Sequence, residues 1–118
     1  MSFLSWNCRG LGNRRTGNAL KKICKAKAPN IVFLIETKLN RDWMEKVHDQ
    51  CESKHGLIVP SDGSIGGLAM LRKEGTIVHV KTYSMSHIDV FVDGGETTGW
   101  WHLTSFYEKP KTSLRFDS

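Results

Sequence analysis

The run Ile31-Val32-Phe33-Leu34-Ile35-Glu36 is the strongest structural signal in the chain, because five consecutive apolar residues end at a carboxylate. A continuous apolar run of this length is typical of a strand that is covered on both faces. The chain before it predicts a helix over residues 15–28, with apolar residues on one face and lysines on the other. An apolar-aromatic strand at residues 3–7 precedes that helix.

Two strands joined by a helix are parallel when the connection closes in its usual right-handed sense. Their carboxyl ends then lie at the same edge of the sheet. The polar residues at those ends are Asn7 and Glu36. Open α/β sheets bind ligands in the crevice beyond such strand ends, so we predict that these two side chains face one crevice.

Downstream of this run, the apolar period predicts one more helix and then several strands. Asn40 can cap a helix that continues to about Cys51, with Met44, Val47 and Cys51 on its inner face. Strand patterns separated by turn residues follow. They cover residues 55–59, 67–72, 76–83, 85–92 and 99–107. The predicted order is strand, helix, strand, helix and a meander of about five strands, with no element in the tail, residues 109–118.

The 118 residues suffice for one domain, and their charge is unevenly distributed. Residues 1–30 contain seven basic and no acidic side chains, whereas the remaining residues contain ten basic and twelve acidic ones. A one-sided basic segment favours a polyanionic partner, and the alternative is a solvated helix face. We predict weak, sequence-independent DNA binding by six of these side chains: Arg9, Arg14, Arg15, Lys21, Lys22 and Lys25.

The three cysteines are widely spaced and include no Cys-x-x-Cys pair, which argues against a disulfide framework or a zinc ribbon. No apolar run approaches the roughly 20 residues that a membrane-spanning helix needs, and no secretory signal pattern is present. We therefore expect an intracellular protein, nuclear or cytoplasmic, without a membrane partner. His48, Cys51 and His55 have a helical spacing that suits a metal, but a fourth ligand is missing.

The adjacent aromatic residues Trp100 and Trp101 could stack on nucleic-acid bases. Neighbouring residues of a strand point to opposite faces, so we expect at least one of the two to belong to the core.

Four segments occur in an order and spacing that are specific when taken together. They are SWNCRGLG at residues 5–12, IVFLIETKL at residues 31–39, GGLAML at residues 66–71 and Phe106-Tyr107. These segments resemble the opening motifs of the endonuclease/exonuclease/phosphatase superfamily, whose members include deoxyribonuclease I and the apurinic-site repair endonucleases. Their amino-acid sequences are similar to those in the open reading frames of plant LINE-type retroelements.

The resemblance implies the N-terminal half of a four-layer α/β (α+β) sandwich of the deoxyribonuclease I-like fold, so that residues 1–118 form a partial domain. It also implies hydrolysis of phosphodiesters with Mg²⁺ or Mn²⁺. Glu36 matches the metal-binding glutamate, and Asn7 matches the asparagine beside the scissile phosphate. Tyr107 matches a catalytic tyrosine that binds the phosphate or stabilises the leaving group. Without the surrounding motifs, Glu36 would be interpreted as an exposed residue at a strand end, Asn7 as a turn residue and Tyr107 as a half-buried aromatic residue.

The catalytic segments that the family carries in its second half are absent from this sequence. They are a Gly-Asp-Phe-Asn-like segment and a Ser-Asp-His-like segment whose histidine is the general base. Residues 61–63 lack the histidine, and residues 86–89 have the wrong order. A general base must lie within hydrogen-bond reach of the attacking water. We therefore expect a truncated endonuclease domain of retroelement origin that is inactive as it stands.

Two other hypotheses stay open at this point: a non-catalytic nucleic-acid-binding remnant, and a fragment of a superfamily phosphatase that acts on a small substrate. The resemblance also implies two sheets packed face to face, of which this chain would hold most of one half and little of the other. The inner faces of residues 31–35 and 68–71 would then be partly uncovered. Exposed apolar sheet and unpaired edges drive association, so we expect the isolated chain to self-associate.

Overall fold

The computed structural model describes residues 2–50, 55–61, 66–96, 99–108 and 111–117, without the side chains of residues 48–50, 55, 108 and 111–117. Within these ranges the chain forms two helices and eight strands. In chain order they are β1 Phe3–Asn7, α1 Arg14–Lys27, β2 Ile31–Ile35, α2 Arg41–Gln50, β3 His55–Val59, β4 Leu68–Arg72, β5 Val78–Tyr83, β6 His87–Asp93, β7 Trp100–Glu108 and β8 Lys111–Asp117.

The strands form two four-stranded sheets, with the orders β1-β2-β4-β3 and β5-β6-β7-β8. In the first sheet β1 and β2 are parallel, and Asn7 lies opposite Ile35. β4 is antiparallel to both β2 and β3. In the second sheet every neighbouring pair is antiparallel. The predicted parallel pair is confirmed, so the ends of β1 and β2 lie at one edge of the first sheet.

β2 lies between two cores, which explains why its sequence is apolar without interruption. Val32 and Leu34 face the helices, where they belong to one core with Leu20 of α1 and Met44 of α2. The intervening β2 residues face the second sheet. This inter-sheet core includes Ile31, Phe33, Ile35, Met70, Ile88, Val90, Val92 and Leu103. The chain is therefore a mixed α/β fold in three layers: helices, first sheet and second sheet.

Both helices are preceded by an asparagine whose side chain caps the helix N-terminus by accepting a backbone hydrogen bond. Asn13 Oδ1 accepts from Arg15 N at 2.8 Å, and Asn40 Oδ1 accepts from Trp43 N at 3.0 Å, as predicted for Asn40. α1 is followed by Ala28 in a left-handed conformation with φ 42°. In the part of the chain that the structure describes, no helix is long and apolar enough to cross a membrane.

Two predictions about the strands are wrong. The strands after α2 do not form one meander, because β3 and β4 complete the first sheet and β5 begins the second. The tail without a predicted element contains β8, which pairs with β7 along its whole length. The mostly polar sequence of β8 gives a weak strand signal, and its pairing with β7 overrides that local preference.

The inner face of the first sheet is covered, contrary to the expectation from a one-sheet chain. Phe33 and Leu68 are at most 1% exposed, because Ile88 and Val90 of β6 pack against that face. Large apolar side chains are exposed elsewhere instead, and several of them belong to β5 and to the residues that flank it. These residues are Ile77, Val80, Tyr83 and Met85.

Candidate active site at the sheet edge

Glu36 follows β2 directly, and segments on both sides hold its backbone. Its carbonyl oxygen accepts a hydrogen bond from Gly10 N at 2.8 Å. The next residue, Thr37, accepts from Leu11 N at 2.8 Å and donates its own N–H to Gly67 O at 3.1 Å. The backbone of Glu36 is in the left-handed conformation, with φ 57°. This conformation costs a non-glycine residue roughly 1–3 kcal/mol. The surrounding hydrogen bonds therefore fix the residue in this conformation.

Gly67 allows the segment before β4 to approach Glu36 closely. Its φ is +92°, and a Cβ atom at this position would lie 2.3 Å from Thr37 Oγ1 and 3.1 Å from Lys38 N. Gly66 beside it has φ +75°, but no atom lies within 4 Å of the position of its Cβ. Gly67 is therefore required for close packing as well as for backbone conformation, whereas Gly66 is required for conformation alone.

The carboxylate of Glu36 is joined to Tyr107 of β7 across the gap between the two sheets. Tyr107 Oη donates a hydrogen bond to Glu36 Oε1 at 2.6 Å. This bond, followed by removal from water and the negative charge of Glu36, raises the pKa of the Tyr107 phenol. The phenol is therefore protonated at neutral pH and acts as a hydrogen-bond donor.

Asn7 lies at the same edge, as the last residue of β1. Its position opposite Ile35 places its side chain on the inter-sheet face of the first sheet. Asn7 Oδ1 accepts a hydrogen bond from Arg9 N at 3.1 Å, which closes a turn. Asn7 thus has the structural role of a turn residue, and its Nδ2 group is left to donate near the strand end that carries Glu36.

The basic residues predicted to bind nucleic acid are all exposed. Arg9 lies in the loop after β1, with a left-handed φ of 51°. The others lie on α1, which has no acidic residue in its first turn. These exposed helical residues are Arg14, Arg15, Lys21, Lys22 and Lys25. The structure places them on the helix layer, whereas the Glu36–Tyr107 pair lies between the sheets.

Cys8 lies between Asn7 and Arg9 but does not have the properties of a nucleophile. Its side chain is part of the core between the helices and the first sheet. Burial raises the pKa of the Cys8 thiol to about 12, although backbone hydrogen bonds oppose the shift. The reactive species of a cysteine is the thiolate, so Cys8 is a packing residue at neutral pH.

The other predicted patterns contribute little to the site. The side chains of His48 and His55, and the whole of Cys51, lie outside the described residues. Within the described ranges, no group of three or more His, Cys, Asp or Glu side chains could hold a metal ion. Trp101 packs against the inter-sheet core and Trp100 is exposed, so the expectation that one of the two belongs to the core is confirmed.

A charged network that the sequence pattern did not indicate lies on the outer face of the second sheet. Asp89 Oδ1 is 2.5 Å from His102 Nε2 and accepts a hydrogen bond from Thr104 Oγ1 at 2.8 Å. Burial favours a higher pKa for Asp89, but the bonds from Thr104 and His102 and the charges of His102 and Lys81 hold it below its usual value. Its neighbours in β6, Ile88 and Val90, point into the inter-sheet core. The network therefore faces away from Glu36.

The architecture is that of a deoxyribonuclease I-like fold. A solved structure with a similar fold is that of AP endonuclease LMAP from Leishmania major, with a TM-score of 0.60 and 17% sequence identity. The match covers 84% of this chain and 37% of the Leishmania chain, so this chain spans little more than a third of the length of that protein. No protein-family model matches the chain, and no curated protein matches its sequence significantly. At this identity the likeness establishes the fold.

Proposed function

We propose that this chain supplies the first part of a divalent-metal-dependent phosphodiester hydrolase that acts on nucleic acid, as an endonuclease domain of retroelement origin. The observation that carries the proposal is the 2.6 Å hydrogen bond from Tyr107 to Glu36. It places a carboxylate and a phenol together where open α/β sheets bind ligands. The similarity of the motif sequences at residues 5–12 and 31–39 to those of plant retroelements supports the retroelement origin.

Glu36 suits a hard divalent ion such as Mg²⁺ or Mn²⁺. Magnesium is bound through one or two carboxylates and keeps water or phosphate oxygens at its other positions. Tyr107 is bonded to Oε1 of Glu36, which leaves Oε2 for an ion. When bound, the ion would polarise the phosphate and lower the pKa of a water molecule. Within the described residues no group of three or more His, Cys, Asp or Glu side chains includes Glu36, so water and phosphate oxygens would fill most of the other positions of the ion.

The other side chains at this edge would position the substrate. Tyr107 has a raised pKa, so it stays protonated near neutral pH and cannot accept a proton from water. Its single O–H, which is donated to Glu36 in this structure, would turn to a phosphate oxygen when a substrate binds. The Nδ2 group of Asn7 is a second neutral donor. Neither group is a general base. His102 and Asp89, which have suitable chemistry, face the outer side of the second sheet.

We therefore expect the 118-residue chain alone to be inactive toward supercoiled plasmid in Mg²⁺ or Mn²⁺. A chimera in which residues 2–108 replace the matching part of the Leishmania AP endonuclease should nick the plasmid. Glu36→Gln in the chimera should lower the rate by about 10²-fold or more, since losing one positioned catalytic group typically costs this much. Glu96→Gln, at an exposed turn, is the matched control and should retain the rate.

Nicking by the chain alone that disappears with Glu36→Gln would show that the site is complete without further residues. A folded chimera that nicks equally well with Glu36 and with Gln at this position would contradict the proposal.

The exposed basic face of α1 favours a second role, weak and sequence-independent DNA binding. Its six exposed cations, which include Lys27 in the last turn, have no acidic neighbour in the first turn of the helix. Neutralising phosphates with such side chains releases counterions, which makes the affinity fall as salt rises. This role does not require hydrolysis, so a non-catalytic chain would keep it.

A further inference from the structure

A groove of about 460 Å³ lies between α1 and α2, on the helix side of the first sheet. Leu11, Leu39 and Val47 form its apolar floor, and these residues also contact the core beneath the helices. Gly17 of α1 lines one wall, and a Cβ atom at this position would meet no atom within 4 Å. The loop after β1 supplies part of the floor, so the groove is continuous with the chain segment that follows Asn7.

The rim of the groove is cationic and aromatic. Arg14 and Lys21 of α1 line one side, and Lys46 and Trp43 of α2 line the other. Among the described residues that line the groove there is no Asp or Glu. Trp43 is 57% exposed, although tryptophan is usually highly buried. The ammonium group of Lys46 lies 4.4 Å from the centre of its ring, which is a cation–π distance.

Stability gives no reason for a large aromatic side chain at position 43. The inner face of α2 is already occupied by Met44, which is fully buried, and by Val47. Trp43 lies off that face and lines the groove together with Arg14, Lys21 and Lys46. Aromatic planes next to cationic side chains are the combination that binds single-stranded nucleic acid, because bases stack on the ring while cations neutralise the phosphates.

We propose that this groove binds an unpaired nucleotide of a DNA strand, with its base stacked on Trp43 and its phosphate between Lys46, Lys21 and Arg14. The inference rests on the proposed function. It assigns the groove to a nucleotide outside the phosphodiester bond that would be cleaved at Glu36. An acidic peptide would satisfy the cations but would not use the indole plane. A nucleotide uses both.

The test measures binding of the 118-residue chain to two fluorescent oligomers of equal length, one of thymidine nucleotides and one with an abasic backbone. Anisotropy is recorded at low salt. Trp43→Ala should weaken binding of the thymidine oligomer about tenfold, the size expected for one stacked base, and should leave binding of the abasic oligomer unchanged. Lys46→Gln should weaken binding of both. Tyr83→Ala is the matched control, because Tyr83 is similarly exposed, at 59%, on the second sheet, and it should change neither affinity.

Equal loss of affinity for both oligomers in Trp43→Ala, or no loss for either, would overturn the proposal. Absence of binding by the unmodified chain would also overturn it. The result can be separated from that of the nicking test. If the chimera requires Glu36 for nicking but Trp43→Ala has no selective effect, only the proposed nucleotide site in the groove is refuted. If Trp43→Ala weakens only the binding of the thymidine oligomer and the chimera does not nick, the proposed hydrolase function is refuted and the proposed nucleotide site is supported.

Discussion

Asn7 and Glu36 could be placed at one edge from the sequence, because strand–helix–strand handedness is a local rule. Tyr107 could not be placed beside Glu36 in this way. The two residues are separated by 71 positions, and their contact depends on how the second sheet packs on the first. Only the resemblance of Phe106-Tyr107 to a family motif pointed to this tyrosine.

The close approach at Gly67 can be tested by its comparison with Gly66. Gly67→Ala places a Cβ atom against Thr37 and the backbone of Lys38, so the free energy of unfolding should fall by about 3 kcal/mol or more. Gly66→Ala introduces only the left-handed backbone cost of roughly 1–2 kcal/mol, since no atom lies within 4 Å of its Cβ position. Denaturant titration followed by circular dichroism measures both. Equal losses would show that the segments at residues 36–38 and 66–67 are not packed as described.

At the scale of the elements, β1, β2 and α1 were predicted to within about one residue at either end, because their apolar period and end residues are local signals. The helical groove was missed for a different reason. Trp43 lies off the inner face of α2, and this was a visible signal in the sequence, but the neighbouring α1 side chains depend on helix packing. β8 was missed because its strand character depends on pairing with β7.

The basic face of α1 predicts that DNA binding depends on charge rather than on base sequence. Changing Lys21, Lys22 and Lys25 together to Glu should abolish binding and leave the helix folded, because all three side chains are exposed. Electrophoretic mobility shifts over a range of salt concentrations measure this, and the affinity of the unmodified chain should fall steeply with salt. The control changes Lys73 and Lys81, which are exposed elsewhere, to Glu. Binding that is insensitive to salt, or that survives the triple change, would count against the prediction.

At the scale of the whole molecule, the two sheets cover each other, and four of the exposed large apolar side chains lie on β5 or on the residues that flank it. This strand is at one edge of the second sheet, and Val80 in its middle is 43% exposed. Edge strands with exposed apolar side chains pair with other chains, and a lysine at such a position blocks the pairing. The sequence predicted self-association from a different surface, the inner face of the first sheet, which is buried.

We therefore predict that the chain associates in a concentration-dependent manner and that Val80→Lys shifts it toward the monomer. Sedimentation velocity at several concentrations measures the distribution. Ala26→Lys, which adds the same charge at an exposed position of α1, is the control and should not change it. An unmodified chain that is monomeric at every concentration would exclude association through β5.

A carboxylate of the first sheet and a phenol of the second form one site, through the hydrogen bond from Tyr107 to Glu36. The chain contains two tyrosines, so in a Tyr83→Phe background the ultraviolet titration of phenolate reports on Tyr107 alone. Because Glu36 raises the pKa of Tyr107, its ionisation should occur above the ordinary value of about 10. Glu36→Gln removes the negative charge and should lower the midpoint toward that value, with circular dichroism at each pH showing whether the chain is folded. The same midpoint with Glu36 and with Gln at this position, in folded protein, would contradict the claim.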